Sequence, residues 1–211
     1  MKALLIIAKK MLSNAFVRSV LGWTYCVLRD SYYQMNYAEY RKKFAIHPSF
    51  QFRGTGSILA GDEGNIVLAE NSYMSRNCLL EAFEGCKIIV ERNCTIGPNV
   101  KIYTVGNVTD QDLDHNPFGD YKKIHSRGNI VIGDGCWIGA DVCIKGGVQI
   151  GANSIIGMNS VVTRDIPPHC LAAGNPAKVV KFKSYLTKDE RAKLVSEYWT
   201  SLSDAIRRTY S

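Results

Sequence analysis

The sequence has few of the residues that mark a metalloprotein, and its thiols lack the spacing of a metal or redox motif. Four histidines are distributed over 211 residues, and none is paired with another at metal-ligand spacing. The seven cysteines form no C-x-x-C pair, and their odd number does not suit a disulfide framework. We therefore predict no metal site and a reduced, cytoplasmic protein.

Long hydrophobic runs are also missing. The run "ALLIIA" ends at Lys9 and Lys10, and six residues are too short for a membrane span or a signal-peptide core. The formal charge of +7 would suit nucleic acid, but no stacking or groove-reading motif accompanies it, so we predict no nucleic-acid partner. With 46% hydrophobic and 21% charged residues, the composition is that of one globular domain with appendages.

What the sequence does contain is an apolar residue that returns every six positions. A small or β-branched residue follows each of these four places later. This pattern is typical of a triangular parallel β-helix, in which the first residue fills the interior and the second fits a tight corner. The two series are Ile132, Ile138, Ile144, Ile150, Ile156 and Val162, and Cys136, Val142, Val148, Ser154, Ser160 and Ile166.

The same period continues upstream, but it is interrupted twice. Leu68, Met74 and Leu80 keep the count, which resumes at Val90 after a slip of four residues. Farther along, Ile102 and Ile132 are thirty residues apart instead of six, and the intervening chain includes "TDQDLDHNPFGDY". We predict an ordered polar loop over about 105–130 that leaves the wall of the β-helix. Long polar loops on rigid scaffolds are typically functional.

Three cysteines fall at the corner position of the repeat. Cys78, Cys94 and Cys136 each come four residues after an apolar position. Because a free cysteine behaves as a small apolar residue, we predict that these thiols fill the interior and are not redox or metal groups.

Two segments outside the repeat are predicted to be helical, which gives a helical segment over 1–45, a β-helix over 46–183 and a C-terminal helix over 184–211. The C-terminal segment contains the capping box "TKDE", in which Thr187 caps the helix and Glu190 reaches back. The N-terminal segment has no acid before Asp30 and several cations. It could contact an anionic membrane from the inner face, or pack on the β-helix or a neighbouring subunit, and both roles stay open. The cations are Lys2, Lys9, Lys10, Arg18 and Arg29.

The last coils and their exit read "IVIGDGCWIGADVCIKGGVQIGANSIIGMNSVVTRDIPPHCLAAGNPAKVVK". This stretch resembles the hexapeptide-repeat acyltransferase superfamily, specifically its galactoside, maltose and polysaccharide O-acetyltransferase branch, and the similarity covers roughly residues 58–182. The resemblance implies an all-β core in the form of a left-handed parallel β-helix, a homotrimer, and acetyl-CoA in a groove between subunits. It therefore implies acetyl transfer to a sugar, at a hydroxyl rather than a nitrogen, of a surface polysaccharide or its precursor.

In that branch a histidine near an H-P-like motif removes the proton from the acceptor. The stretch "DLDHNPFGD" matches that motif with one residue inserted, so the resemblance implies His115 as the general base, with His125 as the alternative. An imidazole of near-neutral pKa can take the hydroxyl proton and return one to the leaving thiolate. Asp112 or Asp114 would orient the imidazole.

The resemblance also implies binding residues, carried over from motifs such as "WIGA", "VVTRD" and "GNPAK". For Trp137 an interior or subunit-packing role is the alternative. The residues implied to contact CoA are Trp137, Ala140, Met158, Thr163, Arg164 and Lys178, and those implied to contact the acceptor are Ser75, Glu81 and Tyr103.

Two other functions compete with acetyl transfer. A γ-class carbonic anhydrase would need three zinc-binding histidines, and the histidines of this chain, His47, His115, His125 and His169, show no such triad. A non-catalytic β-helix scaffold predicts that the loop histidine is dispensable. The density of CoA-type motifs between residues 137 and 178 favours the enzyme.

Overall fold

The computed structural model describes residues 13–60, 65–107 and 125–197. Helix α1 spans Ala15–Lys43, strands follow from residue 45 to residue 182, and helix α2 covers 188–197 at the end of the described chain. The strands are β1 (Ala45–Ile46), β2 (Gln51–Phe52), β3 (Gly56–Ala60), β4 (Ile66–Leu68), β5 (Tyr73–Met74), β6 (Cys78–Ala82), β7 (Ile88–Val90), β8 (Thr95–Ile96), β9 (Lys101–Tyr103), β10 (Val105–Asn107), β11 (His125–Arg127), β12 (Ile130–Ile132), β13 (Trp137–Ile138), β14 (Cys143–Lys145), β15 (Gln149–Ile150), β16 (Ile155–Ile156), β17 (Val161–Val162), β18 (Cys170–Gly174) and β19 (Ala177–Phe182).

Most of these strands form three parallel sheets. Sheet A has the order β1-β4-β7-β12-β15, sheet B the order β2-β5-β8-β13-β16-β18-β19, and sheet C the order β3-β6-β9-β14-β17. The chain passes from A to B to C and then returns to A, so three successive strands make one coil. The antiparallel pair β18–β19 ends the stack. This architecture confirms the predicted parallel β-helix.

The register between coils shows where residues have been added. Val131 pairs with Gln149, eighteen positions later, as three hexads require. In the earlier coils the offset is twenty-two, as between Ile66 and Ile88, which accounts for the slip of four residues. Ile88 pairs with Ile130 at an offset of forty-two, so the long insertion falls between those two coils. The predicted loop therefore leaves an otherwise continuous stack.

The interior of the β-helix is filled as the hexads predict. Every one of the twelve positions in the two series from Ile132 to Ile166 is at most 3% exposed. Complete burial of one such aliphatic side chain stabilises the fold by about 1.5–3 kcal/mol. The first coil, β1–β3, differs from the others in that Phe50 occupies the corner that Ser72 fills one coil later. Its ring packs edge-on against Phe52, with centroids 5.1 Å apart.

Tight corners require a residue in the left-handed backbone region. Non-glycine residues with φ between 55° and 61° recur along the stack, and most of them are asparagine, which tolerates this region better than other side chains do. Two of them bond to each other between coils, because Asn99 Nδ2 donates to Asp141 Oδ1 at 2.9 Å. The positions are Asn71, Asn77, Asn93, Asn99, Asp141, Asn153, Asn159 and His169.

One corner contains a ladder of buried hydroxyl and thiol groups. Each group donates to a backbone carbonyl of the next coil, so serine and cysteine have the same hydrogen-bonding role at this corner. Cys78 at the next corner donates to Gly97 O at 3.1 Å in the same way. These contacts confirm the predicted interior role of Cys78, Cys94 and Cys136. The ladder bonds are Ser72 Oγ to Glu91 O (2.8 Å), Cys94 Sγ to Gly133 O (3.1 Å), Cys136 Sγ to Gly151 O (3.2 Å) and Ser154 Oγ to Pro167 O (2.8 Å).

The start of α2 confirms the predicted capping box. The Thr187 amide donates to Glu190 Oε2 at 2.8 Å, and the Glu190 amide donates to Thr187 Oγ1 at 3.2 Å. Thr187 Oγ1 also donates to Glu190 Oε2 at 2.7 Å, and this bond, together with that from the Thr187 amide, holds the pKa of the Glu190 carboxyl below its usual range. The chain divides into two compact units, residues 1–39 and 40–211. None of the helices among the described residues combines the length and the hydropathy that a membrane span requires.

We expect the thiols to differ widely in reactivity, because burial raises the pKa of Cys78 to about 11 whereas Cys26 is exposed. A rise of two in the pKa of the Cys78 thiol reduces its thiolate fraction by roughly 100-fold at a given pH, and burial also slows the approach of a reagent. Time-resolved modification of the native protein, followed by mass spectrometry, should label Cys26 long before Cys78, Cys94 or Cys136. All seven thiols should react together in denaturant, which is the control. Early labelling of Cys94 in native protein would contradict the buried ladder.

Candidate active site

The inserted loop leaves the β-helix through a short antiparallel ladder. Strands β10 and β11 pair Val105 with Arg127 and Asn107 with His125, directly after strand β9 of sheet C ends at Tyr103. Residues 108–124, which include the predicted catalytic residues His115, Asp112 and Asp114, lie outside the described residues. Because the two strands are paired, the loop begins and ends at one place. We call this place, residues 104–107 and 125–128, the loop root.

Thr104 fixes the loop root to the coils above and below. Its side chain is fully buried, and its Oγ1 accepts a hydrogen bond from the Phe83 amide at 2.8 Å and donates one to Glu81 O at 3.3 Å. The Gly128 amide donates to Thr104 O at 3.0 Å. On the other side, a Cβ atom at Gly146 would lie only 2.4 Å from Thr104 O, so that coil can approach only because the residue is glycine.

Two of the three predicted acceptor residues lie together beside this root. Glu81 and Tyr103 are direct partners in sheet C, and both face outward and are half-buried. Ser75 lies in the same coil as Glu81, but directly after strand β5 of sheet B, where its backbone amide donates to Ile96 O. The structure thus brings Glu81 to Tyr103 but does not bring Ser75 to either.

Sequence reasoning missed two features near the acceptor residues. Lys145 pairs with Tyr103 on the opposite side from Glu81, so three polar side chains form one column on sheet C. The Arg127 guanidinium lies over the Phe83 ring, 4.4 Å from its centroid. The offsets of twenty-two and forty-two residues between coils would have revealed the column. Without the strand pairing, those offsets could not be assigned to particular corners.

Three of the residues implied to contact CoA line one cavity. Thr163, Arg164 and Lys178 share a space of about 650 Å³ with the strand Ala177–Phe182 and with Val195 of α2. Arg164, Lys178 and Lys181 bring three positive charges to this cavity, and none of the described residues that line it is an acid. A set of cations without a carboxylate suits phosphate groups. We call this space the basic cavity.

The other three implied CoA residues lie on sheet B and on its corner with sheet C. Trp137 faces outward between Thr95 and Ile155 and is 55% exposed, so the side chain is not in the interior. Met158 is exposed, and Ala140 lies one coil above it, where Ala140 O accepts from the Asn159 amide at 2.9 Å.

The hairpin β18–β19 connects this corner to the basic cavity. A Cβ atom at Gly157 would lie 2.9 Å from the Ala173 side chain, so the hairpin packs directly on the corner that carries Met158. Ala173 in turn pairs with Lys178. The six implied CoA residues therefore occupy two neighbouring areas with one hairpin between them.

Cys143, His47 and His169 do not form a catalytic group with one another. Partial burial raises the pKa of the Cys143 thiol on the outer face of sheet C, although Lys101 beside it acts in the opposite direction, so this thiol is a poor nucleophile. His47 Nδ1 lies 2.8 Å from Ser49 Oγ, and His169 Nδ1 lies 2.8 Å from Tyr185 Oη. Within the described ranges, no three His, Cys, Asp or Glu side chains cluster as metal ligands would.

Comparison with known sequences identifies one family model and a set of curated relatives. The model of the bacterial transferase hexapeptide family, described as six repeats, matches residues 129–164. The chain is 37% identical over 117 residues to the galactoside O-acetyltransferase of Escherichia coli, a match that covers 56% of this chain and 54% of that protein. The aligned part of the chain spans only about half the length of the curated relatives it matches.

Two solved structures extend the comparison. A maltose O-acetyltransferase from Clostridium difficile 630 is 34% identical and superimposes with a TM-score of 0.56, covering 68% of this chain and 72% of that one. A hexapeptide-repeat acetyltransferase from Vibrio cholerae O1 biovar eltor, complexed with acetyl coenzyme A, is 26% identical with a TM-score of 0.54, covering 71% and 76%.

We expect Thr104→Val to lower the free energy of unfolding by about 1–3 kcal/mol, because it removes the buried acceptor of the Phe83 amide and the donor to Glu81 O. Thr104→Ser keeps the hydroxyl and loses only a methyl group, so it is the matched control. Urea unfolding followed by circular dichroism would measure both. Equal losses in the two variants would show that the methyl group, and not the hydrogen bonds, holds the loop root.

Proposed function

This chain belongs to the hexapeptide-repeat acyltransferase family, and from that membership we propose that it transfers an acetyl group from acetyl-CoA to a hydroxyl of a sugar. The observation that carries the proposal is the position of the loop root relative to the basic cavity. Tyr103, beside the root, pairs with Lys145 of the next coil. In the coil after that, strand β17 ends at Val162, and Thr163 of the cavity follows. Two coil spacings of about 4.8 Å separate root and cavity. A loop that starts there can bring a base to a thioester bound along the coils.

The basic cavity fits the charged part of this co-substrate. Arg164 and Lys178 would meet phosphate groups, and among the described lining residues no carboxylate competes with that contact. Trp137, Ala140 and Met158 would cover the uncharged arm along the corner of the coils. Acetyl-CoA supplies the activated acetyl group as a thioester.

The general base we propose is His115. A sugar hydroxyl has too high a pKa to attack unaided, and the imidazole takes its proton as the new C–O bond forms. The same imidazolium then returns a proton to the sulfur as the C–S bond breaks, so that the products are an acetyl ester and a free thiol. Asp112 or Asp114 would hold the ring in the correct tautomer. Proton transfer of this kind typically contributes about 10²- to 10⁴-fold to the rate.

The acceptor we propose is a sugar of a surface polysaccharide or its precursor, with the enzyme in the cytoplasm at the inner face of the membrane. Glu81 and Tyr103 support a sugar acceptor, because a carboxylate and a phenol on adjacent strands can bond to neighbouring hydroxyl groups. We further propose a homotrimer. An isolated β-helix supplies one wall of a groove, and the exposed Trp137 and Met158 need a facing surface to enclose a ligand.

Thiol release from acetyl-CoA, measured across free, nucleotide-linked and lipid-linked sugars, tests the function. With the best acceptor, His115→Ala should lower kcat by about 10²-fold or more while CoA affinity stays nearly unchanged, because only proton transfer is lost. His125→Ala is the matched control within the same loop and should do much less. Asp112→Asn or Asp114→Asn should fall between the two.

Two results would contradict this assignment in different ways. An inactive His125→Ala with a nearly normal His115→Ala would move the base ten residues along the loop. Full activity in both variants would mean that the loop carries no base. No thiol release with any sugar would remove the acetyltransferase proposal and favour a non-catalytic scaffold.

The trimer is tested by light scattering coupled to size-exclusion chromatography at micromolar protein. We expect a mass three times that of the chain, together with loss of thiol release on dissociation, because the groove needs two subunits. The Arg92–Asp134 ion pair is exposed and joins two coils of one chain, so Arg92→Gln should leave the mass unchanged. A stable and fully active monomer would overturn the shared groove.

A further inference from the structure

Helix α1 presents a broad apolar face to its surroundings. Seven large apolar side chains are between 43% and 76% exposed, and at 3.6 residues per turn they lie on about half of the helix circumference. An exposed apolar surface of this extent marks an interaction site. We call this face the apolar stripe. Its residues are Phe16, Val20, Leu21, Val27, Leu28, Tyr32 and Met35.

No charged residue interrupts the apolar stripe between residues 16 and 35. The polar residues on the same arc are Thr24, Ser31 and Gln34. The Thr24 hydroxyl donates back into the helix, to Val20 O at 3.0 Å and Leu21 O at 2.9 Å. Its hydrogen-bonding requirement is therefore met within α1, and the residue can enter an apolar environment at little cost.

Aromatic side chains border the stripe on both sides. Trp23 is 68% exposed and lies on the arc beside Phe16, whereas Tyr25 is 66% exposed and lies beside Tyr32. Rings with an apolar body and one polar atom favour the boundary between water and hydrocarbon. The borders of the stripe thus have the chemistry of the headgroup region of a bilayer.

The charge of this end of the chain is entirely positive up to Asp30. Arg18 and Arg29 lie next to Tyr25 at one border of the stripe, and the Arg29 guanidinium is 5.9 Å from the Tyr25 ring centroid. Arg29 shares its charge with Asp30 across a 2.8 Å ion pair, so the excess comes from Arg18 and from the lysines nearer the start of the chain. Those lysines are Lys2, Lys9 and Lys10.

We infer that α1 binds the surface of an anionic lipid bilayer, with the apolar stripe in the boundary between headgroups and acyl chains and Arg18 against lipid phosphates. A second copy of the chain fits less well. A helix–helix seam is a narrower a/d stripe, and subunit pairing would bring identical cationic segments together. The inference names the surface that would hold the proposed enzyme at the membrane, and its test does not require acetyl transfer.

Flotation of the full-length protein with lipid vesicles tests the inference directly. Vesicles containing about a third phosphatidylglycerol should carry the protein to the top of a gradient, and pure phosphatidylcholine vesicles should carry much less. Raising the salt from about 0.1 M to about 0.5 M should weaken the binding, because screening reduces the contribution of the cations. Arg18→Gln should weaken binding to anionic vesicles and leave the weak binding to neutral vesicles unchanged.

A triple variant, Val20→Gln, Leu28→Gln and Met35→Gln, removes apolar area from the stripe while glutamine keeps helix propensity. Its affinity for anionic vesicles should fall by at least about 100-fold. The matched control is Leu59→Gln, since Leu59 is an equally apolar side chain, 53% exposed, on sheet C. The control should float like the unchanged protein. Circular dichroism would show that α1 remains helical in the triple variant.

The fluorescence of Trp23 provides a second measurement of membrane binding, which leaves the apolar stripe unchanged. The chain has three tryptophans, so Trp137→Phe with Trp199→Phe leaves Trp23 as the single reporter. Anionic vesicles should shift its emission to shorter wavelength, and lipids brominated near the headgroup should quench it. Emission that stays unchanged when vesicles are added would overturn the inference even if the protein floats.

Two further outcomes would also overturn the inference. One is that the unchanged protein does not float, or that the triple variant floats as well as it does. The other is that the triple variant alters the oligomeric mass while the unchanged protein never binds vesicles, which would make the stripe a subunit contact. Thiol release with a free sugar separates the two proposals, because the triple variant should retain it after losing vesicle binding.

Discussion

The spacing of stacked coils, about 4.8 Å between hydrogen-bonded strands, is the constraint on which the rest of this structure depends. Each coil bonds to the next through its backbone, as when the Gly139 amide donates to Ile156 O at 2.8 Å. A coil can therefore not take up extra residues by bulging into its neighbours. It must expel them at a corner. The four-residue slips and the long insertion after Tyr103 are both consequences of this rule.

The same constraint decides which residues the corners can hold. At Gly139 a Cβ atom would lie 2.7 Å from Met158 N, and at Gly146 one would lie 2.4 Å from Thr104 O. Larger residues would push the coils apart and break several ladder bonds at once. This corner instead uses small groups that donate a hydrogen bond, which explains why it holds both cysteine, at Cys94 and Cys136, and serine, at Ser72 and Ser154. The thiols are there for their size and their S–H bond, not for redox chemistry.

This rule also separates what the sequence could predict from what it could not. Period six is a local property of side chains, so Ile132, Ile138 and Ile144 could be placed in the interior, and the loop could be found as a break in the count. The column of Glu81, Tyr103 and Lys145 could not be found in this way, because it depends on offsets of twenty-two and forty-two residues.

The candidate site likewise contains residues that a local motif could predict and contacts that only the strand pairing reveals. The motifs pointed to Thr163, Arg164 and Lys178 separately, but only the hairpin β18–β19 shows that they enclose one cavity. Thr104 was missed because it lies two residues after Ile102, where the repeat assigns no special role. Its importance comes from four chain segments meeting at one corner, and no local pattern records such a meeting.

The proposed reaction makes two demands on the structure, a fixed distance between the loop root and the basic cavity and a variable contact with the acceptor. A rigid stack with one expelled loop meets them in separate parts of the chain. The distance from the loop root to the basic cavity is fixed by two coil spacings and cannot drift, because the interior residues set it. Strands β10 and β11 close the base of the insertion whatever length of chain lies between them, so the register of the coils does not depend on that length. If the proposed function holds, substitutions between residues 108 and 124 can therefore change the acceptor without disturbing the stack, whereas a substitution such as Ile144→Ala would act on the cavity and the root together. Variation in acceptor specificity should accordingly concentrate between residues 108 and 124 and in the outward column on sheet C.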